Sequence, residues 1–541
     1  MWVVDRLAGV YAYLAVILRA AILIGQSIIF GGIVFIWFAL QKNPASSSQK
    51  QIEGATRKCT CLLRTSALLL CAAHTLCLLI NCRALIHTAG LTVSNIVGAN
   101  FAIAAFIAIC SALLMIPFSA LSPLRTWPLV ILSLLVLASS VMTNHASARI
   151  DNRLLLIWFT ALHIAAAGAW IGGLPYLRLA VSAAPDQIGW IIAKRFSLIA
   201  TLSVSVLAIS GVAAAFKYVD NASGIYGTSY GVMLGAKSSL FGALLLLGAR
   251  NHRAIRTLSP ANLAPRLKRF VEAEIVIGIT VILAAASLTS QPPAVDLKTD
   301  RASLSDIFAR TRPTWPRLKT PDVKDISPPT RHLLDESASA AAAFPPVVLP
   351  NTPSDIAWSE YNHNWVGLML FVMGGFALIS RTGKFPISRH WPLMFLALAL
   401  FIFVRADPEN WPLGRNGFWE SFDQIEVLQH RAAAAMVVAF GIFEWLVQHG
   451  KIRARFAPLV FPAVCVAGGA LLLTHTHALQ NSREQVLAEL SHTPLAILAV
   501  LAGCSRWLEL RLPKPDTKLA AHIWPVCFML IGTLLLTYKE G

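Results

Sequence analysis

Five histidines in the last third of the chain, His363, His430, His475, His477 and His492, sit where long apolar runs begin or end. Neutral imidazole is a borderline ligand that suits copper, zinc, iron and nickel, so the chemistry these residues could do is metal binding. Glu426 precedes His430 by one helical turn and shares its face, where it could orient the imidazole or ligate beside it. Asp407, Glu409 and Asp423 make the same region anionic. His475 and His477 point about 200° apart on an ideal helix, so both reach one ion only if the helix ends there. Taken singly, each histidine reads as an interfacial side chain satisfied by a backbone carbonyl. Taken together, four separate segments delivering imidazole to one level read as a buried polar site. His390, His449, His252 and His522 fall at the opposite level and read as interfacial.

The first half of the chain holds a sparser set. His163 lies inside an apolar run, as a metal ligand or as one end of an interhelical hydrogen bond. Trp170 comes seven residues later on a similar face. Gly168, Gly172 and Gly173 leave room for a second helix to approach closely. His145 with Met142, and His87, stand where apolar runs end, and methionine beside histidine suits reduced copper if it is not ordinary packing. Lys237 either snorkels to an interface or balances a buried carboxylate. Cys71, His74, Cys77 and Cys82 fall in a sector of about 140° on one helix. Such a stripe could pass Cu(I) from soft ligand to soft ligand, although small buried cysteines are the commoner reason for the pattern.

Membrane-spanning helices must position these residues. The chain has 541 residues, 56% hydrophobic and 13% charged, with a mean hydropathy of +0.63. Apolar runs of about 20 residues recur along it, the length that crosses a hydrocarbon layer of roughly 30 Å as a helix; barrel strands would be half as long and alternating. Helices are expected near 11-40, 62-88, 96-118, 127-143, 154-180, 196-216, 231-249, 270-290, 362-380, 391-405, 424-447, 456-477, 492-510 and 521-538. The expected fold is therefore all-α, a polytopic integral membrane helical bundle of about fourteen transmembrane helices in blocks of 8 and 6. Residues 1-290 form the first block and 362-541 the second. Between them 291-361, rich in proline, alanine and serine, reads as a periplasmic linker with a short helix near 302-310.

The net charge of +18 would suit nucleic acid, but the basic residues gather in alternate loops. Lys42, Lys50, Arg57, Arg250, Arg253, Lys268, Arg381, Lys451, Arg506 and Lys518 share one side, which places them in the cytoplasm and both termini outside. The first apolar run is long enough to span and lacks a small-residue cleavage site, so it is expected to stay as an anchor. The nine cysteines are scattered within helices and read as thiols. No nucleotide-binding motif occurs, so transport, if any, would run on gradients or ligand exchange rather than on internal ATP hydrolysis.

The segment Leu162-His163-Ile164-Ala165-Ala166-Ala167-Gly168-Ala169-Trp170-Ile171-Gly172-Gly173-Leu174 resembles the signature of the bacterial copper resistance protein D (CopD) family. Arg195-Phe196-Ser197, Ser210-Gly211, Tyr230-Gly231 followed by Lys237, Val271-Glu272-Ala273-Glu274 and Leu288-Thr289-Ser290-Gln291-Pro292-Pro293 come in the order that family shows. The second block resembles the C-terminal membrane extension of some members, through Arg405-Ala406-Asp407-Pro408-Glu409, Glu426-Val427-Leu428-Gln429-His430-Arg431, Thr474-His475-Thr476-His477 and Ser491-His492-Thr493-Pro494.

The resemblance implies copper, as Cu(I) or Cu(II), moved or delivered at the bacterial inner membrane in copper homeostasis or resistance, with a periplasmic copper-binding protein as partner. The expected function is thus copper transfer from the periplasmic histidines toward the cytoplasm, by a protein that is not an enzyme and has the lipid bilayer, but no nucleic acid or nucleotide, as a partner. Two alternatives remain from other classes. One is a redox protein bearing copper or haem b, with His430 and either His475 or His492 as axial pair. The other is a membrane anchor that docks a periplasmic copper chaperone.

Overall fold

In hydrocarbon every backbone N–H and C=O must be satisfied within the chain, and long runs of apolar residues meet that demand as helices. The computed structural model describes residues 2–40, 46–121, 126–321, 353–474 and 483–540, apart from 409, 415, 424, 514 and 515. Among them there is no strand. Thirteen helices are long and apolar enough to cross a membrane: α1 (Leu14–Leu40), α2 (Ile52–Ile86), α3 (Asn100–Phe118), α5 (Arg153–Ala183), α6 (Asp186–Tyr218), α7 (Ser229–Thr257), α8 (Pro260–Asp296), α9 (Pro353–Ser380), α10 (Pro386–Arg405), α11 (His430–Gln448), α12 (Ala457–Thr474), α13 (Arg483–Arg511) and α14 (Thr517–Leu536). The expected span at 127-143 is the shorter apolar helix α4 (Thr126–Met142). The chain is an all-α polytopic membrane protein.

Two compact units divide it. The first holds Met1–Ala302, Ala470–Thr493 and Arg511–Pro513; the second holds Ser303–Gly469, Pro494–Leu510 and Lys514–Gly541. In the first unit Ile29 and Ile33 of α1 pack with Leu63, Ala67 and Leu70 of α2, Met115 of α3, and Leu129 and Val136 of α4. Backbone approach is closest where α1 meets the middle of α5. There Gly168–Gly172 form a π-helical turn, and a methyl placed on Gly172 would lie 1.8 Å from the Ser27 carbonyl oxygen. The expectation that these glycines admit a second helix is met by α1.

Helix ends obey their sequences. Asp186 opens α6 and Lys217 closes it, each favourable against the helix dipole. Thr228 caps α7, its hydroxyl accepting from Gly231 N–H at 3.0 Å. The short helix Leu304–Thr311, expected near 302-310, begins with a capping box between Ser303 and Asp306. In the second unit Met373, Trp391, Phe395, Phe461, Trp524 and Phe528 form the aromatic centre.

Candidate functional site

Within the first unit, α1, α5, α6, α7 and α8 enclose a cavity of about 430 Å³ whose lining includes Arg19, Gln26, His145, His163, Tyr218, Tyr230 and Lys237. His163 is held from two sides. Its Nδ1 lies 3.1 Å from Ser210 Oγ, and that hydroxyl donates to the Val206 carbonyl at 2.6 Å. The serine proton is therefore spent, Nδ1 must carry the hydrogen, and the lone pair of Nε2 faces outward from the contact. Lys237 Nζ stands 3.3 Å from that Nε2. Gly211 gives the ring its space, since a Cβ there would meet His163 Cε1 at 3.3 Å.

Lys237 thus meets an imidazole where the sequence suggested an interface or a carboxylate. Among the described residues no Asp or Glu lines this cavity. Asp296, whose charge bears on His145 of the lining, is ion-paired with Arg149 at 2.5 Å. Burial, then the charge of Arg19, holds His145 below its ordinary value against the opposing pull of the Gln291 and Thr289 carbonyls and Asp296. The imidazole is therefore neutral, the form that binds metal. Nε2 of His145, Nε2 of Gln26 and Nε of Arg19 are buried without a hydrogen-bond partner among the described residues. Unsatisfied buried polar atoms around one space mark a place for a polar occupant.

A second cavity of about 460 Å³ shares Arg19, Leu23, Asn144 and His145 with the first and adds His74, Cys77, Asn81 and Met142. Met142 and His145, adjacent in expectation, do line one space. The cysteine stripe does not do so as a whole. Cys77 accepts from Asn81 Nδ2 at 3.3 Å, Cys71 turns to the Ile109 carbonyl at 3.6 Å, and neither Cys71 nor Cys82 lines the cavity. Trp170 is buried in the π-helical turn, edge-on to Phe241 with centroids 6.1 Å apart, and is outside the cavity lining. The wide turn rotates the helix beyond Ala167 relative to His163, so a seven-residue spacing no longer preserves the face.

The C-terminal histidines are satisfied locally. His363 Nδ1 lies 2.8 Å from the Ser359 carbonyl and its ring stacks on Tyr538 at 4.1 Å. His492 makes the same one-turn contact with the Ala488 carbonyl at 2.8 Å. His430 Nδ1 meets Asp407 Oδ1 at 2.7 Å, with its side chain 48% exposed. His475 and His477 lie outside the described residues, as do the side chains of Glu426 and His87. Among the described residues no three His, Cys, Asp or Glu side chains come together as a metal-binding group.

Sequence reasoning missed Arg19, Gln26 and Ser210. Arg19 and Gln26 were legible as the polar residues of the first apolar run, and an ionisable group in a span is a functional signal by default.

Residues 191–288, which supply α7, most of α6 and α8, and with them Ser210, Tyr218, Tyr230 and Lys237, match the family described as copper resistance protein D. A stretch of 171 residues is 33% identical to the copper transport protein CutJ of Bacillus subtilis, covering 31% of this chain and 30% of that one. The match spans less than a third of that relative's length. No solved structure matches. The segment that builds three walls of the cavity is thus similar to the copper resistance protein D family.

Proposed function

We propose that this protein carries copper at the bacterial inner membrane, taking it from the periplasmic side and passing it toward the cytoplasm through the first unit. The carrying observation is the cavity that the family-matched helices help to enclose, where His163 and His145, on segments outside that match, stand among buried polar atoms that lack partners. The adjoining space with His74, Cys77 and Met142 adds the softer donors that suit Cu(I). The protein acts as a carrier rather than an enzyme, with both termini in the periplasm and a periplasmic copper-binding protein as donor. The name of the Bacillus subtilis relative supports the copper reading.

The test is copper content of washed cells and of their cytosol, measured by mass spectrometry with and without expression. Wild type is expected to raise cytosolic copper, and His163→Ala to bring it within about twofold of the empty-vector level. Unchanged cytosolic copper on wild-type expression, with a periplasmic copper protein still bound, would replace transport by docking. A Soret band in the purified protein would bring back the haem reading.

A further inference from the structure

The charge in the first-unit cavity is wrong for a bare copper ion. Arg19 and Lys237 both line it, no Asp or Glu among the described residues does, and Asp296, whose charge bears on His145, is already paired with Arg149. Buried ionisable groups in a span keep partners of opposite charge where they can. Lys237 instead faces the Nε2 lone pair of His163 at 3.3 Å. That lone pair is the one a metal would need, because Nδ1 is committed to Ser210. With Lys237 in place, a cation approaching Nε2 meets both an occupied lone pair and a like charge at close range.

We propose that the cavity takes copper together with small inorganic anions of the halide class, the anions seated on Lys237 and Arg19 and the copper on His163. This deepens the copper reading and rests on it. Cu(I) with two halides carries one negative charge, which turns the two cationic side chains from a barrier into a match. An anion drawing the ammonium toward itself also frees Nε2 for the metal. Arg19 and Gln26 line the same space, and Nε of the one and Nε2 of the other are donors without a partner among the described residues; a volume of about 430 Å³ holds such a complex with water around it. No bond to carbon forms or breaks and no electron moves; halide and imidazole exchange places around the metal.

The test uses the purified full-length protein in lipid nanodiscs, with free Cu(I) fixed anaerobically by a competing chelator. Binding is compared in sodium chloride and in sodium methanesulfonate, a non-coordinating anion, at equal ionic strength. Wild type is expected to bind Cu(I) at least about tenfold more tightly in chloride, a difference of about 1.4 kcal/mol. Lys237→Met should bind equally in the two salts, and Lys237→Arg should keep the preference. Equal wild-type affinity in both salts overturns the proposal while leaving copper in the cavity. If wild type and His163→Ala bind alike in both salts, the copper reading of the cavity fails and takes this one with it. The wild-type comparison decides even if a lysine variant does not fold.

Discussion

At Gly172 the distance between two helices is set by the absence of one methyl group. A Cβ at that position would sit 1.8 Å from the Ser27 carbonyl oxygen and one at Gly31 2.2 Å from the Gly168 carbonyl, both backbone atoms that cannot swing away. Gly172→Ala is therefore expected to destabilise the detergent-solubilised protein by about 1–3 kcal/mol, the cost of overpacking a well-fitted contact. Gly242→Ala in α7, where a Cβ meets nothing within 4 Å, is expected to be neutral or to stabilise by about 0.5–1 kcal/mol through helix propensity. Thermal unfolding of the two variants in the same detergent checks both signs; equal shifts would mean that the close approach contributes nothing. His163, Lys237 and the glycines could be read from sequence because residue type and position in an apolar run mark them. Their partners could not, since periodicity gives a face and not the neighbour across it. That is why the expectation for Lys237 stood between an interface and a carboxylate and did not include the imidazole of His163.

Helices were legible where the apolar run was long, and short irregularities within them were not: the π-helical turn at Gly168–Gly172 changes the period over too few residues to show. The C-terminal histidines show the converse difference of scale. Their clustering by level was a property of where helices end, while the one-turn contacts of His363 and His492 with carbonyls belong to each helix separately. The pairing of α9 with α14 is built on both features. Cβ atoms at Gly367, Gly374 and Gly532 would fall 2.5, 2.7 and 2.4 Å from backbone atoms of the opposing helix. At one end Asn364 Nδ2 donates to the Leu535 carbonyl at 3.0 Å, and Glu540 accepts from Ser359 Oγ at 2.6 Å and Tyr538 OH at 2.7 Å. Burial alone would raise the Glu540 carboxyl, but the Ser359 and Tyr538 hydroxyls, with the charges of Arg310 and His363, hold it below the ordinary glutamate range. A carboxyl lowered on folding stabilises above its unfolded value, and that contribution disappears as pH falls through the folded value. The melting temperature should thus fall between about pH 5 and pH 3, and Glu540→Gln should fall less over the same interval. Parallel curves for the two proteins would remove Glu540 from the account.

The orientation of the whole molecule turns on its shortest apolar helix. With thirteen crossings the termini lie on opposite sides, and with fourteen they share one. At about 1.5 Å per residue α4 is roughly 26 Å long, at the lower limit for a span, so length alone leaves the parity open. Its contacts close it. Trp127, at the start of α4, packs against Trp37 near the end of α1 with ring centroids 5.6 Å apart. Thr143, just past its other end, accepts through its carbonyl from Arg19 near the start of α1 at 3.4 Å. On the way Leu129 and Val136 pack with Ile29 and Ile33, so α4 runs antiparallel to α1 along the stretch from residue 37 back to residue 19. A helix that reaches both ends of a crossing helix crosses too, which makes the number even among the described residues. If the basic loops lie inside, as their charge leads one to expect, the C-terminus is expected outside. Alkaline phosphatase fused after Gly541 should be active and a green fluorescent protein fused there dark, whereas the same reporters placed after Thr257, between α7 and α8, should give the reverse. A fluorescent C-terminal fusion would invert the molecule, and with it the proposed direction of copper transfer.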